Sequence, residues 1–159
     1  MGVRIVSLLP STTEIAYALG LGDSLVGVTH ECDFPDAARS KPIVTRSVLD
    51  HSGATSEEID HAVRQQLRAG LSLYDLDTAR LAQLAPDLIL TQALCDVCAV
   101  SYGQVERAVR DVSAEYAGLA PQVLSLEPNS LDDVLATVAT VAAAAGVTLV
   151  PSMVSMPPV

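Results

Sequence analysis

Short apolar runs at 4–9, 25–29, 88–90 and 122–126 alternate along this chain with segments whose apolar residues recur at helical spacing. That alternation constrains the fold more than any single motif does. Strands that run parallel cannot be joined by tight turns, so each pair needs a long crossover, and a helix is the usual one. Such crossovers are right-handed. The expected architecture is α/β: a single doubly wound lobe with a central, mostly parallel sheet flanked by helices.

The residues between the runs agree with that reading. Arg4 to Leu9 reads as a strand that ends at Pro10, and Ser11-Thr12-Thr13-Glu14 matches a capping box. The helix it opens carries Ile15, Ala18 and Leu19 on one face and stops at Gly20. Lys41 to Val44 is a short extended piece, because the residue before a proline disfavours helix. Thr55-Ser56-Glu57-Glu58 is a second capping box, for a helix with Ile59, Val63 and Leu67 inward and Gly70 at its end. Leu71 to Leu76 alternates as a half-buried strand does, and Asp77 caps a short helix through Leu81 and Leu84, closed by Pro86. After the run at 88–90, Ser101 is the expected cap of a helix with Val105, Ala108, Val109 and Val112 on its inner face. Ser130 caps a long Ala-rich helix in which Leu131, Val134, Leu135, Val138, Val141 and Ala142 recur at helical spacing, ended by Gly146. Residues 1–146 are thus expected to form one lobe. Residues 147–159, with three prolines and two methionines, are expected to be an irregular tail.

Charge removes several classes of function. A formal charge of −10 and nine scattered basic residues argue against nucleic acid and against an anionic membrane surface. The apolar runs are too short and too interrupted to span a bilayer, and the first of them does not make a secretory leader. Read as written, the chain is expected in the cytoplasm, where thiols stay reduced. It carries no G-x-S-x-G, no phosphate-cradling G-x-x-x-x-G-K and no G-x-G-x-x-G after its first strand, and we expect no enzyme.

The chemistry that remains gathers at the carboxyl ends of the expected strands, where open α/β sheets bind ligands. Cys95, Asp96, Val97 and Cys98 lie in the strand-to-helix loop after 88–90, followed by Tyr102. His30, Glu31, Cys32 and Asp33 follow the second strand, and Glu127 follows the last. His30, Cys32, Cys95 and Cys98 make a candidate four-ligand set for zinc or an iron–sulfur cluster. A redox dithiol at Cys95 and Cys98 is a second reading. In the third, the cysteines are small buried hydrophobes and His30 a loop residue satisfied by backbone.

Longer strings carry a resemblance. Residues 4–35, RIVSLLPSTTEIAYALGLGDSLVGVTHECDFP, resemble the opening of cobalamin-binding solute-binding proteins of ABC transporters, the class III group whose two lobes are joined by one long helix. SLYDLD at 72–77, PDLILTQ at 86–92, CDVCAVSYG at 95–103 and LSLEP at 124–128 continue it, so that it reaches to about Gly146. The resemblance implies the amino-terminal lobe of a substrate-binding component, with Ser130 to Gly146 as the start of the interlobe helix. It implies a ligand such as cobalamin, another tetrapyrrole or a metal chelate, and no catalysis. Carried over by position, ligand contacts fall on Pro10, Ser11 and Thr12, on His30, Glu31, Cys32 and Asp33, on Cys95, Asp96, Val97, Cys98 and Tyr102, and on Glu127. Family members are commonly extracytoplasmic. The implied partners are the small-molecule ligand and an ABC permease or a second lobe, and the apolar face from Leu131 to Ala142, if left bare, is expected to favour a second copy of the chain.

Overall fold

A computed structural model describes residues 2–49, 53–69, 72–93, 100–115 and 119–149. Its strands are β1 (Ile5–Ser7), β2 (Leu25–Val28), β3 (Thr45–Ser47), β4 (Tyr74–Leu76), β5 (Leu88–Thr91) and β6 (Gln122–Ser125). Its helices are α1 (Pro10–Ala18), α2 (Ser56–Arg68), α3 (Thr78–Leu84), α4 (Tyr102–Glu115) and α5 (Leu131–Ala144). The main sheet has the order β2-β1-β5-β6 and every pair in it is parallel. The four expected strands therefore share one carboxyl edge.

Alternation along the central strands supplies both faces of that sheet. Ile5, Leu88 and Leu90 pack on one side with Ala16 of α1, Leu19 just after it, and Val141 and Ala142 of α5. Val6 and Ile89 pack on the other with Leu81 of α3 and Val105 and Ala108 of α4. Register keeps the sets aligned, since Ile5 lies opposite Leu88 and Val6 opposite Ile89. Gly27 in β2 allows close approach: a Cβ there would stand 2.8 Å from Leu84 Cδ1 and 3.0 Å from Val44 Cγ1.

Several helix ends follow the expected chemistry. Thr55 and Glu58 make the reciprocal capping box of α2, Asp77 accepts from the Arg80 amide, and Ser130 accepts from the Asp133 amide. Gly20, at φ 72°, lets the Leu21 amide return to the Ala16 carbonyl at 2.8 Å. The Ser11 capping box is corrected. Helix α1 begins at Pro10, its cap position is Leu9, and no side chain caps it. Proline suits a first helical position because its φ is preset and the amide it lacks would have had no helical partner there.

Two helices bury less of their apolar faces than their periodicity offers, and for α2 this corrects the expected inner face. Leu131, Val134 and Leu135 of α5 are 74%, 47% and 57% exposed, and only its far half is buried. In α2 no residue is fully buried: Ile59 and Val63 are half-buried and Leu67 is 39% exposed.

A second, two-stranded sheet departs from the parallel plan. β3 and β4 pair antiparallel, with Thr45 opposite Leu76 and Ser47 opposite Tyr74. Residues 42–44 first run parallel to the end of β2, where the Val28 amide donates to the Pro42 carbonyl and the Val44 amide to the Val28 carbonyl, each at 2.9 Å. The chain then continues as β3 beyond the carboxyl end of β2. β4 returns along it, and α2 lies between the two.

Candidate functional site

The carboxyl edge is built from the ends of β1, β2, β5 and β6, and its polar groups divide into those that face solvent and those turned inward. At the end of β1, Ser7, Thr12 and Thr13 are buried and bond one another: Ser7 Oγ and Thr12 Oγ1 are 2.6 Å apart, and the Thr13 hydroxyl donates to Ser7 Oγ at 2.8 Å. The Thr12 hydroxyl also reaches the Leu9 carbonyl at 3.1 Å. Buried hydroxyls must be satisfied, and this cluster satisfies itself at the amino end of α1. Of the three residues carried over here, Ser11 is exposed, Pro10 half-buried, and Thr12 wholly inside.

The loop after β2 separates its two candidate metal ligands. Cys32 is buried, and its sulfur lies 3.1 Å from Thr13 Oγ1 on α1. Burial pushes its thiol pKa up, with Asp33 and Glu14 adding in the same direction against the hydrogen bonds from Thr13 and Thr29. A thiol so placed is held in the neutral form, whereas metals take thiolate. His30 turns the other way. Its Nδ1 lies 2.7 Å from Thr45 Oγ1, which also accepts from the His30 amide at 3.1 Å and donates to Thr29 Oγ1 at 2.9 Å. The ring packs on Tyr74 with centroids 5.5 Å apart. His30 Nε2 is buried and has no hydrogen bond, although Glu31 Oε1 is 3.3 Å away. Glu31 and Asp33 are exposed, and Asp33 stands 3.7 Å from Arg39.

Of the expected set of His30, Cys32, Cys95 and Cys98, the first two face different neighbours, Cys32 Thr13 and His30 Thr45. Cys95, Asp96, Val97 and Cys98 lie outside the described residues. Among the described residues no group of three or more His, Cys, Asp or Glu side chains is arranged to hold a metal ion.

At the ends of β5 and β6 the edge is more open. Thr91 is buried and its hydroxyl has no partner, and Gln92 beyond it is half-buried. Glu127 is exposed and accepts from the Ser125 hydroxyl at 2.8 Å. Tyr102, at the start of α4, has its phenol pKa raised chiefly by the Glu106 carboxylate, with a contribution from Glu127. Tyr102 and Glu127 thus share one part of the edge. A cavity of about 130 Å³ opens between the end of β1 and the start of α5, lined by Leu9, Ser11, Thr12, Gln92, Leu126 and Val134 among others. Small-molecule sites usually enclose roughly 300–1,000 Å³, so among the described residues this part of the edge forms a wall rather than a container. A larger groove of about 580 Å³ lies between the β3–β4 hairpin and α3, lined by Arg46, Asp75 and Arg80. Its charges are engaged locally, Arg46 with Asp75 and Arg80 with the Ile43 carbonyl.

Reading the sequence missed Thr45, Tyr74 and Gln104, the residues around His30. Gln104 Nε2 donates to the Tyr74 carbonyl at 3.2 Å, while its buried Oε1 has no partner. The pairing of β3 with β4 brings Thr45 beside Tyr74 and α4 supplies Gln104, so spacing carries no signal for them.

No family model matches the chain. A vitamin B12-binding protein of Yersinia pestis strain Pestoides F is 34% identical over 87 residues, 55% of this chain and 22% of that protein. The solved periplasmic vitamin B12-binding protein of Vibrio cholerae superposes with a TM-score of 0.58 at 22% identity, over 96% of this chain and 44% of that one. A possible iron-binding periplasmic solute-binding protein of Staphylococcus epidermidis gives 0.55 at 25% identity, over 91% and 43%. A periplasmic heme-binding protein solved with two hemes gives 0.56 at 25% identity, over 91% and 42%. The chain spans less than half of each of these solved proteins and about a fifth of the Yersinia protein, 22%.

Proposed function

We propose that this chain, which has the fold of one lobe of the class III periplasmic binding proteins, serves as one lobe of the substrate-binding component of an ABC importer. Its ligand is a corrinoid, of which cobalamin is the first to test, or a similar tetrapyrrole or metal chelate. The role is binding, not catalysis. The observation that carries this reading is the shape of the carboxyl edge. It offers a shallow polar wall beside an α5 whose first turns expose Leu131, Val134 and Leu135. Such an arrangement suits a ligand held between two walls, the second supplied by another lobe.

In this reading α5 begins the interlobe helix, and residues 1–146 form the lobe. Ser11, His30, Glu31, Tyr102 and Glu127 are the polar groups that reach the ligand. Thr12 and Cys32 act from beneath, holding the first and second loops together through the Ser7–Thr13 hydroxyl cluster. An ABC permease is the membrane partner.

The test is titration of the purified chain with cyanocobalamin, hemin and a ferric siderophore, followed by calorimetry and visible absorbance. We expect saturable binding of one class, at affinities nearer micromolar (about −8 kcal/mol) than nanomolar (about −12 kcal/mol), because one wall buries only part of the ligand. Absence of binding to all three overturns the reading. Nanomolar binding by a monomer would overturn the single-wall argument.

A further inference from the structure

We propose that the carboxyl edge selects its ligand by charge: it takes a metal chelate whose rim carries uncharged carboxamides, as a corrinoid's does, and disfavours one whose rim carries carboxylates, as heme's does. This selection rests on the functional reading above and names the ligand class within it, with Glu31 and Glu127 as the residues that set it.

The placement of charge is the first ground. The sequence holds nine Lys and Arg residues, and all nine lie among the described residues. The connections that leave the ends of β1, β2, β5 and β6 are 8–9, 29–44, 92–101 and 126–130. They carry Glu31, Asp33, Asp36, Asp96 and Glu127, against Arg39 and Lys41. Arg39 is held between two of those carboxylates, 3.7 Å from Asp33 and 3.8 Å from Asp36. Arg4, Arg46, Arg64 and Arg80 are each engaged by a carbonyl or a carboxylate of their own surroundings. Arg107 folds back toward Gly103 in the first turn of α4, and there the balance still falls to the carboxylates. The Tyr102 phenol pKa is raised chiefly by Glu106, with Glu127 adding to it. Asp132 and Asp133, in the first turn of α5, extend the same sign. A ligand rim bearing carboxylates would bring like charge against this edge, a contact that opposes binding and does so most at low salt.

Hydrogen-bonding capacity is the second ground, and it is independent of charge. Thr91, the last residue of β5, is 0% exposed, and its hydroxyl has no partner. Gln104, in the first turn of α4, has its amide nitrogen bound to the Tyr74 carbonyl and its buried Oε1 without a donor. A carboxylate can accept from the Thr91 hydroxyl but has no proton for the Gln104 oxygen, whereas a carboxamide serves both.

The experiment titrates the chain with two corrinoids that share ring, cobalt and axial cyanides: dicyanocobinamide, with its amide rim, and dicyanocobyrinic acid, in which carboxylates replace the amides. Cyanocobalamin and hemin are run beside them. At low salt we expect Kd at least about tenfold lower for the amide form, with the ratio narrowing in 1 M salt, where charges are screened beyond about 3 Å. Glu31→Gln and Glu127→Gln should each narrow the low-salt ratio by tightening the carboxylate form. Asp111→Asn, the same change of charge at an exposed position on the third turn of α4, should leave it as it is. All three positions are exposed, where substitution leaves the fold intact. Equal binding of the two corrinoids, or hemin bound more tightly than dicyanocobinamide at low salt, overturns the selection and leaves the functional reading standing. A ratio that Asp111→Asn narrows as much as the edge variants do overturns the assignment to the edge, since the charge of the whole chain would then set it. If the wild-type chain takes neither corrinoid, nor cyanocobalamin, nor hemin, the functional reading fails and the selection fails with it.

Discussion

The two halves of α5 have the same sequence pattern and opposite fates. Val141 and Ala142 are 0% and 1% exposed against the main sheet, whereas Leu131 and Leu135, on an equally apolar face, stand in solvent. Burial holds the far half of the helix, through contacts with α1, β1 and β5. The near half is held by its own backbone and by a cap: Ser130 Oγ accepts from the Asp133 amide, and Asp133 Oδ2 accepts from the Asn129 amide, both at 3.1 Å. Periodicity shows that a helix has an apolar face. It does not show whether the same chain covers it.

The sharpest way to break this comparison is to place a charge in each half. Val141→Asp puts a carboxylate where no partner exists, and such burial costs several kcal/mol. We expect a loss of at least about 3 kcal/mol in urea unfolding, or failure to fold. Leu135→Asp should change stability by less than about 0.5 kcal/mol, as exposed substitutions do. Equal losses at the two positions would show that the near half is covered in solution.

The next effect is on association. Leu131, Val134 and Leu135 together make an apolar patch at the start of the helix, and uncovered apolar area favours self-association. We expect concentration-dependent mass by light scattering, and a dimer dissociation constant at least about tenfold weaker, about 1.4 kcal/mol, in Leu131→Ser/Leu135→Ser. A wild-type chain that stays monomeric at millimolar concentration would mean the patch needs a different partner, as the second lobe would be.

How much of this was legible beforehand depends on the range of the interaction. The strands, the caps at Thr55, Asp77 and Ser130, and the stop at Gly20 are local, and each was readable from residues within a turn of one another. Ser11 shows how a local motif misleads. Its box was present in sequence, but the helix starts two residues earlier, at Pro10, and the neighbouring hydroxyls turn inward to Ser7. The site was legible as an edge but not as a set of orientations. His30 and Cys32 are two residues apart, yet Thr45 draws one and Thr13 the other. Both partners come from other elements, and no spacing rule encodes them. The antiparallel pairing of β3 with β4 was hidden for the same reason.

Removing the cap should cost less than either change above. Ser130→Ala leaves the Asp133 amide without its side-chain acceptor, a loss of about 1 kcal/mol in typical helices. The loss should fall on the near half alone. Hydrogen exchange should therefore speed up at residues 131–135 while Val141 and Ala142 remain protected. Uniform loosening of α5 would mean that the two halves are one cooperative unit, and the comparison would fail.

The smallest effect is the most specific, because it reads the cap through a proton. The Asp133 carboxyl lies below the usual carboxylate range, chiefly because of the Ser130 side-chain hydrogen bond and then the Asn129 amide. A carboxyl with a depressed folded pKa contributes stability that is present above its unfolded value, near pH 4, and is lost as pH falls through the folded value. Exchange protection in the first turn of α5 should accordingly hold from neutral pH down to about pH 4 and decline below it, while protection at Val141 follows global unfolding. Asp133 is exposed, so solvent screens the interaction and the global midpoint should barely move. Titration of Asp133 by NMR gives the direct reading: Ser130→Ala should move its pKa upward, toward the ordinary carboxylate value. A pKa unmoved by that substitution would place the cause elsewhere, and the near half of α5 would then be held by something other than its cap.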